Sequence, residues 1–198
     1  MKLIERLDSL LSEYKNVFVD KARGIGATEY GIKKTYSIAN ERNKINTLIV
    51  CHNEYVLKEI HGKLLREYNI KKSNAVGIIS LTLSNESKIY IIAYNNLKQF
   101  LDCNYIEFDF IFMDEPNSKY SISKIEQQIK NRYKTQLFAV GTGNKNIAYQ
   151  ELISNSPYST YVKIPWYEIE DTKYLKAVDY AFKNMSKDVF DIEYRCHW

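Results

Sequence analysis

Residues 20–31 read DKARGIGATEYG, and the kind of fold this chain builds turns on them. An apolar run, NVFV (16–19), leads in, and a helical pattern leads out. A glycine-bearing turn between strand and helix suits a bound phosphate, because backbone N–H groups and the helix N-terminus both face the anion. The common form of such a loop, G-x-x-x-x-G-K-[ST], is absent. Ala27 follows Gly26, where the lysine of that form belongs. The stretch is a broken site, a site built differently, or only a turn.

The rest of the chain sets the context. Leu3, Ile4, Leu7, Leu10 and Leu11 recur at helical spacing, so residues 2–14 are expected to form an amphipathic helix. Buried strands are expected at 16–20, 47–51 (TLIVC), 108–115 (FDFIFMDE) and 135–143 (TQLFAVGTG), with a late strand at 160–166. Helices are expected at 28–42, 54–68, 95–101, 121–132, 147–153 and 172–185. AVGIISLTL (75–83) and KIYIIAY (88–94) read as a strand pair joined by the polar turn SNES (84–87). Continuous apolar strands alternating with helices predict a mostly parallel α/β sheet covered on both faces. The ligand edge of such a sheet lies at the carboxyl ends of its strands. Residues 20–28, 51–53, 114–118 and 141–144 all fall there.

Bulk properties narrow the classes. The chain has 198 residues, 45% hydrophobic and 26% charged, which fits one soluble globular domain over 1–198. A net charge of +4 permits nucleic-acid contact without requiring it. Cys51, Cys103 and Cys196 form no C-x-x-C pair, which argues against zinc. Cys51 ends an apolar run and reads as a buried thiol in a reducing compartment. No signal peptide or membrane-length apolar stretch is read, so a cytoplasmic location is expected.

The acids come next. FIFMDE places Asp114 and Glu115 just after a buried strand. In many NTPases an Asp there holds Mg²⁺ and the adjacent Glu orients or deprotonates the attacking water. A strand ending in a solvated acidic turn explains this motif equally well taken alone. In 20–28, Gly24 and Gly26 can make the turn and Thr28 can offer a hydroxyl to Mg²⁺. The missing cation can come from Lys21, whose long stem reaches phosphates from the front of the loop. Arg23 can add a planar fork for the γ-phosphate within the same chain.

KARGIGAT (21–28) resembles the phosphate loop of the large terminase subunits, the DNA-packaging motors of tailed bacteriophages and herpesviruses. Many of these carry a loop of the form K-x-R-x-x-G-x-[ST], which Lys21, Arg23, Gly26 and Thr28 match. TLIVCHN resembles the family's second core strand, FIFMDE its Walker B strand, and LFAVGTGN its coupling motif. The resemblance implies a P-loop NTPase fold of the RecA-like (ASCE) type. It implies an ATP hydrolase with Lys21, Ala22, Arg23, Gly24, Ile25, Gly26, Ala27 and Thr28 around ATP. Thr142 and Asn144 would sense the γ-phosphate, Thr28 and Asp114 would hold Mg²⁺, and Glu115, Arg23 and Lys21 would be catalytic. It further implies double-stranded DNA, a portal protein and a small terminase subunit as partners. A homo-oligomeric ring on the procapsid, monomeric in isolation, is implied as well, with no membrane. VKIPWYE and FDIEYRCHW resemble the end of the ATPase domain, so the nuclease domain is expected elsewhere. Two departures stand out. Gly24 replaces a frequent Gln, and no glutamine precedes residue 99, so adenine recognition passes to other groups, such as backbone near 14–18. The alternatives are a helicase-like nucleic-acid-dependent ATPase and a nucleotide-binding assembly module without turnover.

Overall fold

The structure is a computed structural model that describes residues 3–68, 70, 72–76, 78–103, 106–116, 125, 134–142 and 158–196. In chain order these form α1 (Leu3–Glu13), β1 (Asn16–Lys21), α2 (Ala27–Glu41), β2 (Asn46–Cys51), α3 (Glu54–Tyr68), β3 (Lys72–Val76), β4 (Ile78–Thr82) and β5 (Lys88–Ala93). There follow α4 (Tyr94–Cys103), β6 (Phe110–Asp114), β7 (Gln136–Gly141), β8 (Ser159–Ile164), a 3₁₀ turn (Trp166–Glu168), α5 (Thr172–Asn184) and α6 (Lys187–Arg195).

The eight strands form one sheet in the order β3-β4-β5-β2-β6-β7-β1-β8. From β5 to β8 every pairing is parallel, while β3–β4 and β4–β5 are antiparallel. This is the mostly parallel, helix-flanked sheet that the apolar runs predict. The period-2 alternation of each strand decides which side chain faces which layer. Val17, Val19, Ile49, Phe110, Phe112, Phe138 and Val140 join the core that α1, α2 and α3 cover. Phe18, Leu48, Val50, Ile111, Met113, Leu137 and Ala139 join the opposite core, with Leu97, Phe100 and Leu101 of α4.

Most boundaries differ from expectation by one or two residues. Two elements differ in kind. The strand expected over 75–83 is two strands, because β3 ends at Val76 and β4 runs back along it from Ile78. Helix α6 was not expected at all. Its N-terminus is capped by Ser186, whose hydroxyl accepts from Val189 N–H, and its buried face is only Phe190 and Tyr194. The helices expected at 121–132 and 147–153 lie outside the described residues, apart from the helical, buried Ile125.

Helix α2 carries the loop and lies unusually close to the sheet. A Cβ at Gly31 would stand 2.2 Å from Phe112 Cε2. The Phe112 ring cannot retreat, since it stacks on Phe138 at 5.6 Å within the core. Gly31→Ala should therefore destabilise the fold by about 1–3 kcal/mol through overpacking. Gly62→Ala places its methyl 3.3 Å from the free end of Arg66. That variant should hold or gain about 0.5–1 kcal/mol from reduced chain entropy. Urea unfolding of both variants checks the contrast.

Candidate nucleotide site

Strand register brings the loop and the acids together. Asp20 of β1 is level with Gly141 of β7, and Asp114 of β6 is level with Val140. The residues just past these positions are Lys21, Thr142 and Glu115, which meet at the carboxyl edge of three adjacent strands. Lys21 Nζ donates to Glu115 Oε1 at 3.0 Å and to Thr142 Oγ1 at 2.8 Å. Thr142 donates its hydroxyl to Glu115 Oε1 at 2.5 Å and its N–H to Glu115 Oε2 at 2.8 Å. Glu115 pays for this position in backbone conformation, with φ at 48°. The Lys21 side chain is only 7% exposed, so its charge needs these partners.

The loop between Lys21 and α2 turns at Gly24 (φ 77°) and Gly26 (φ 88°), values that disfavour any residue with a Cβ. Gly26 is the left-handed N-cap of α2 and supplies no side-chain cap. The first N–H groups of α2 thus keep their capacity for an external acceptor. Thr28, in the first turn, donates its hydroxyl to Asp114 Oδ1 at 2.7 Å.

Electrostatics separates the two acids. Burial pushes the Asp114 carboxyl above its ordinary range, and the Thr28 hydrogen bond and the Lys21 charge only partly offset this. Burial would also raise Glu115, but the Lys21 charge and the Thr142 hydrogen bonds outweigh it and hold the carboxyl below its ordinary range. Glu115 is therefore a stabilised carboxylate, whereas the charge of Asp114 is only partly compensated.

Arg23 is not brought to this cluster. Its guanidinium forks over the Glu193 carboxylate of α6, with Nη2 2.9 Å from Oε1 and Nε on the other oxygen. Asn144 lies outside the described residues. His52 is exposed at the end of β2, near enough to favour the charged form of Asp114. Burial pushes the thiols of Cys51 and Cys196 up to about 12, which makes both unreactive. Trp166 packs against the small core of α5 and α6.

Beside the loop opens a cleft of about 560 Å³. Leu3 and Ile4 of α1, Ile25 of the loop, Tyr30 of α2 and Ile169 form its apolar walls, and Glu168, Glu170 and Asp171 its acidic rim. The backbone near 14–18 does not line it. Sequence reasoning missed this cleft, because Ile169, Glu170 and Asp171 lie far along the chain with no motif around them.

The family model of the type III restriction enzyme res subunit (ResIII) matches residues 1–142. The chain belongs to this family. No curated protein sequence matches it. In fold, the ResIII chain is similar to the large terminase ATPase domain of Thermus phage P74-26, with a TM-score of 0.70 at 11% identity. That match covers 95% of this chain and 92% of the phage domain. The large terminase of a thermophilic bacteriophage, in complex with ADP, gives 0.71 at 11% identity and covers all of this chain. The ResIII chain spans 54% of that terminase. The Hef helicase domain of Pyrococcus furiosus gives 0.61 at 14% identity, over 90% of this chain and 40% of that one. The fold is that of RecA-like P-loop ATPases, as the resemblance to terminases implies. Family and fold together support an ATP-hydrolysing enzyme.

The raised pKa of Asp114 has a stability consequence with a definite sign. The folded state prefers the protonated acid, so stability falls as pH climbs from the unfolded to the folded pKa and stays reduced above it. Asp114→Asn keeps an acceptor for Thr28 and removes the charge. At neutral pH its melting temperature should rise above wild type, which thermal unfolding checks.

Proposed function

We propose that this chain is the ATP-hydrolysing motor domain of a DNA-handling machine. The observation that carries the proposal is the meeting of Lys21, Thr142 and Glu115 with the Thr28–Asp114 pair at one sheet edge. Lys21 serves the β- and γ-phosphates from the front of the loop. Backbone N–H groups of 24–28, at the loop glycines and the start of α2, cradle them. Thr28 and Asp114 are hard oxygen ligands and would hold Mg²⁺. Among the described residues no group of three or more His, Cys, Asp or Glu offers a metal cage. That suits Mg²⁺, which keeps several waters and takes few protein ligands. Bound Mg²⁺ would neutralise charge on the phosphate oxygens.

Glu115 orients the attacking water and accepts its proton. Lys21 now holds the Glu115 pKa down. When Lys21 turns to a phosphate, Glu115 loses that cation and becomes a stronger base as substrate arrives. Thr142 and Asn144 report the γ-phosphate to β7. The cleft beside Ile25 and Ile169 takes the nucleoside, since it continues from the loop and is walled by apolar groups.

Of the possible machines we favour a viral DNA-packaging motor, which moves double-stranded DNA into a procapsid. The near-complete likeness to a terminase ATPase domain supports this, as does the lysine at the front of the loop. This reading carries with it a ring on a portal, a small terminase subunit, a separate nuclease domain, and the host cytoplasm as location. No helix among the described residues is long and apolar enough to cross a membrane. A helicase-like nucleic-acid-dependent ATPase is the second reading, and the family match and the Hef likeness favour it.

ATP hydrolysis with Mg²⁺ and duplex or single-stranded DNA decides between them. Stimulation by duplex supports packaging, and stimulation by single strands supports the helicase-like reading. Absence of Mg²⁺-dependent hydrolysis overturns both. Glu115→Gln should bind ATP but hydrolyse it at least ~10²-fold more slowly, the scale of a lost general base. Lys21→Ala should lose ATP binding, read by nucleotide titration. Filling the cleft with Ile169→Trp should weaken ATP at least ~10-fold, as loss of apolar fit does, and spare tripolyphosphate.

A further inference from the structure

Three parts of the chain wall the cleft beside the loop, and helix α1 is bonded to the other two. Leu3 and Ile4 of α1 line the cleft, as do Tyr30 of α2 and Glu168 and Ile169 beyond β8. On one side Asp8 of α1 accepts from the Tyr30 hydroxyl at 2.7 Å and from Lys34 Nζ at 2.6 Å. On the other side the Arg6 guanidinium donates to the Glu168 carboxylate. Leu7, between these two residues, is fully buried in the core. At 3.6 residues per turn, Arg6 and Asp8 leave the helix about 200° apart, on opposite flanks of the buried Leu7. Helix α1 is thus a strap, seated by Leu7 and Leu11 and tied to one cleft wall on each flank.

The two ties are unequal. Asp8 is bonded twice, and its partner Tyr30 is a buried residue whose ring meets Phe138 edge-on. Burial would raise the Asp8 carboxyl, but the bonds from Lys34 and Tyr30 outweigh it and hold the carboxyl below its ordinary range. Arg6 and Glu168 form a single ion pair, with side chains 28% and 38% exposed. Such a pair adds little stability and opens readily. The wall that it holds is a short one. Glu168 ends the 3₁₀ turn, and Ile169 caps that turn with its N–H on the Trp166 carbonyl. Ile169 therefore moves with Glu168.

We propose that Arg6 and Glu168 are positioning residues that clasp the cleft: paired, they hold Ile169 against a bound nucleoside, and unpaired, they let the nucleoside leave. This rests on the nucleoside reading of the cleft. The Asp8 tie is the fixed side of the strap and the Arg6–Glu168 tie the opening side. The pair acts on nucleotide release and leaves the polar cluster of Lys21 and Glu115 undisturbed.

The test is release of N-methylanthraniloyl-ADP from the whole chain with Mg²⁺, chased by unlabelled ADP, beside calorimetric titration with ADP and with pyrophosphate. Arg6→Ala and Glu168→Gln should each speed release about two- to fivefold, the equilibrium shift that a partly exposed ion pair can impose. ADP should weaken by the same factor, and pyrophosphate should be unchanged. The double variant should release no faster than either single one, because the pair is already broken. Exchanging the charges, Arg6→Glu with Glu168→Arg, rebuilds the pair and should return release toward wild type. The gap between wild type and Arg6→Ala should narrow as salt rises, since salt screens an exposed pair. Release unchanged in both single variants overturns the proposal. Pyrophosphate weakened as much as ADP also overturns it, because the loss is then structural and reaches the phosphate loop. Both results leave the nucleoside reading in place so long as wild type holds ADP more tightly than pyrophosphate. A wild type without that preference sinks the nucleoside reading and the clasp together.

Discussion

The Lys21 ammonium is buried at the end of β1 and held by Glu115 and Thr142, and this one charge organises the functional edge of the sheet. Left unpaired, a buried ammonium costs several kcal/mol, so its partners must be present in the fold itself. They come from the ends of β6 and β7, separated from Lys21 by 94 and 121 positions in sequence. Only the registers of β1 with β7 and of β7 with β6 bring them level. Those registers are set in turn by the two apolar layers. A slip of one residue would send Val17, Val19, Phe138 and Val140 to the wrong face. The core thus fixes the polar cluster, and a single shift would dismantle both.

Much of this was legible in the sequence for a simple reason. Strands buried on both faces are unbroken apolar runs, and residues that follow such runs share one edge. Lys21, Thr28, Asp114, Glu115 and Thr142 could therefore be grouped without knowing any contact. The rest depends on pairings that leave no local mark. AVGIISLTL carries a continuous strand pattern, and only antiparallel pairing at the sheet edge reveals the reversal between Val76 and Ile78. Helix α6 has a short apolar face, too narrow to announce itself beside the Lys and Asp around it. The partner of Arg23 lies 170 residues away, and nothing around either residue points to the other.

The family match and the fold match cover different parts of the molecule. The ResIII model ends at residue 142, so it takes in β1, β6, β7 and every described member of the polar cluster. The fold likeness to the Thermus phage domain covers 95% of the chain, so it extends into the C-terminal part that the family model leaves out. From that region come Ile169 in the cleft wall and Tyr174 and Glu193 on the loop. The polar cluster thus lies in the part of the chain that the family model matches, and the groups beside the loop from α5, α6 and residue 169 lie outside it. At 11% identity the fold alone is shared with the phage domain.

The two cations of the loop are both occupied by carboxylates, but under different conditions. Lys21 is buried, its partner Glu115 is also bonded twice by Thr142, and Glu115 holds a strained backbone. Arg23 is mostly exposed and Glu193 half-buried, so water reaches the pair and screening weakens it. An anion reaching this edge therefore meets an exposed, weak pair and a buried, strong one. The weak pair yields without disturbing the core. The strong pair yields only to a ligand that replaces Glu115 with a comparable anion in a dry site, because a bare ammonium there is too costly. A free carboxylate in solution cannot do this cheaply. A phosphate cradled by the N–H groups of α2 can, since the same backbone that binds it also excludes water from Lys21.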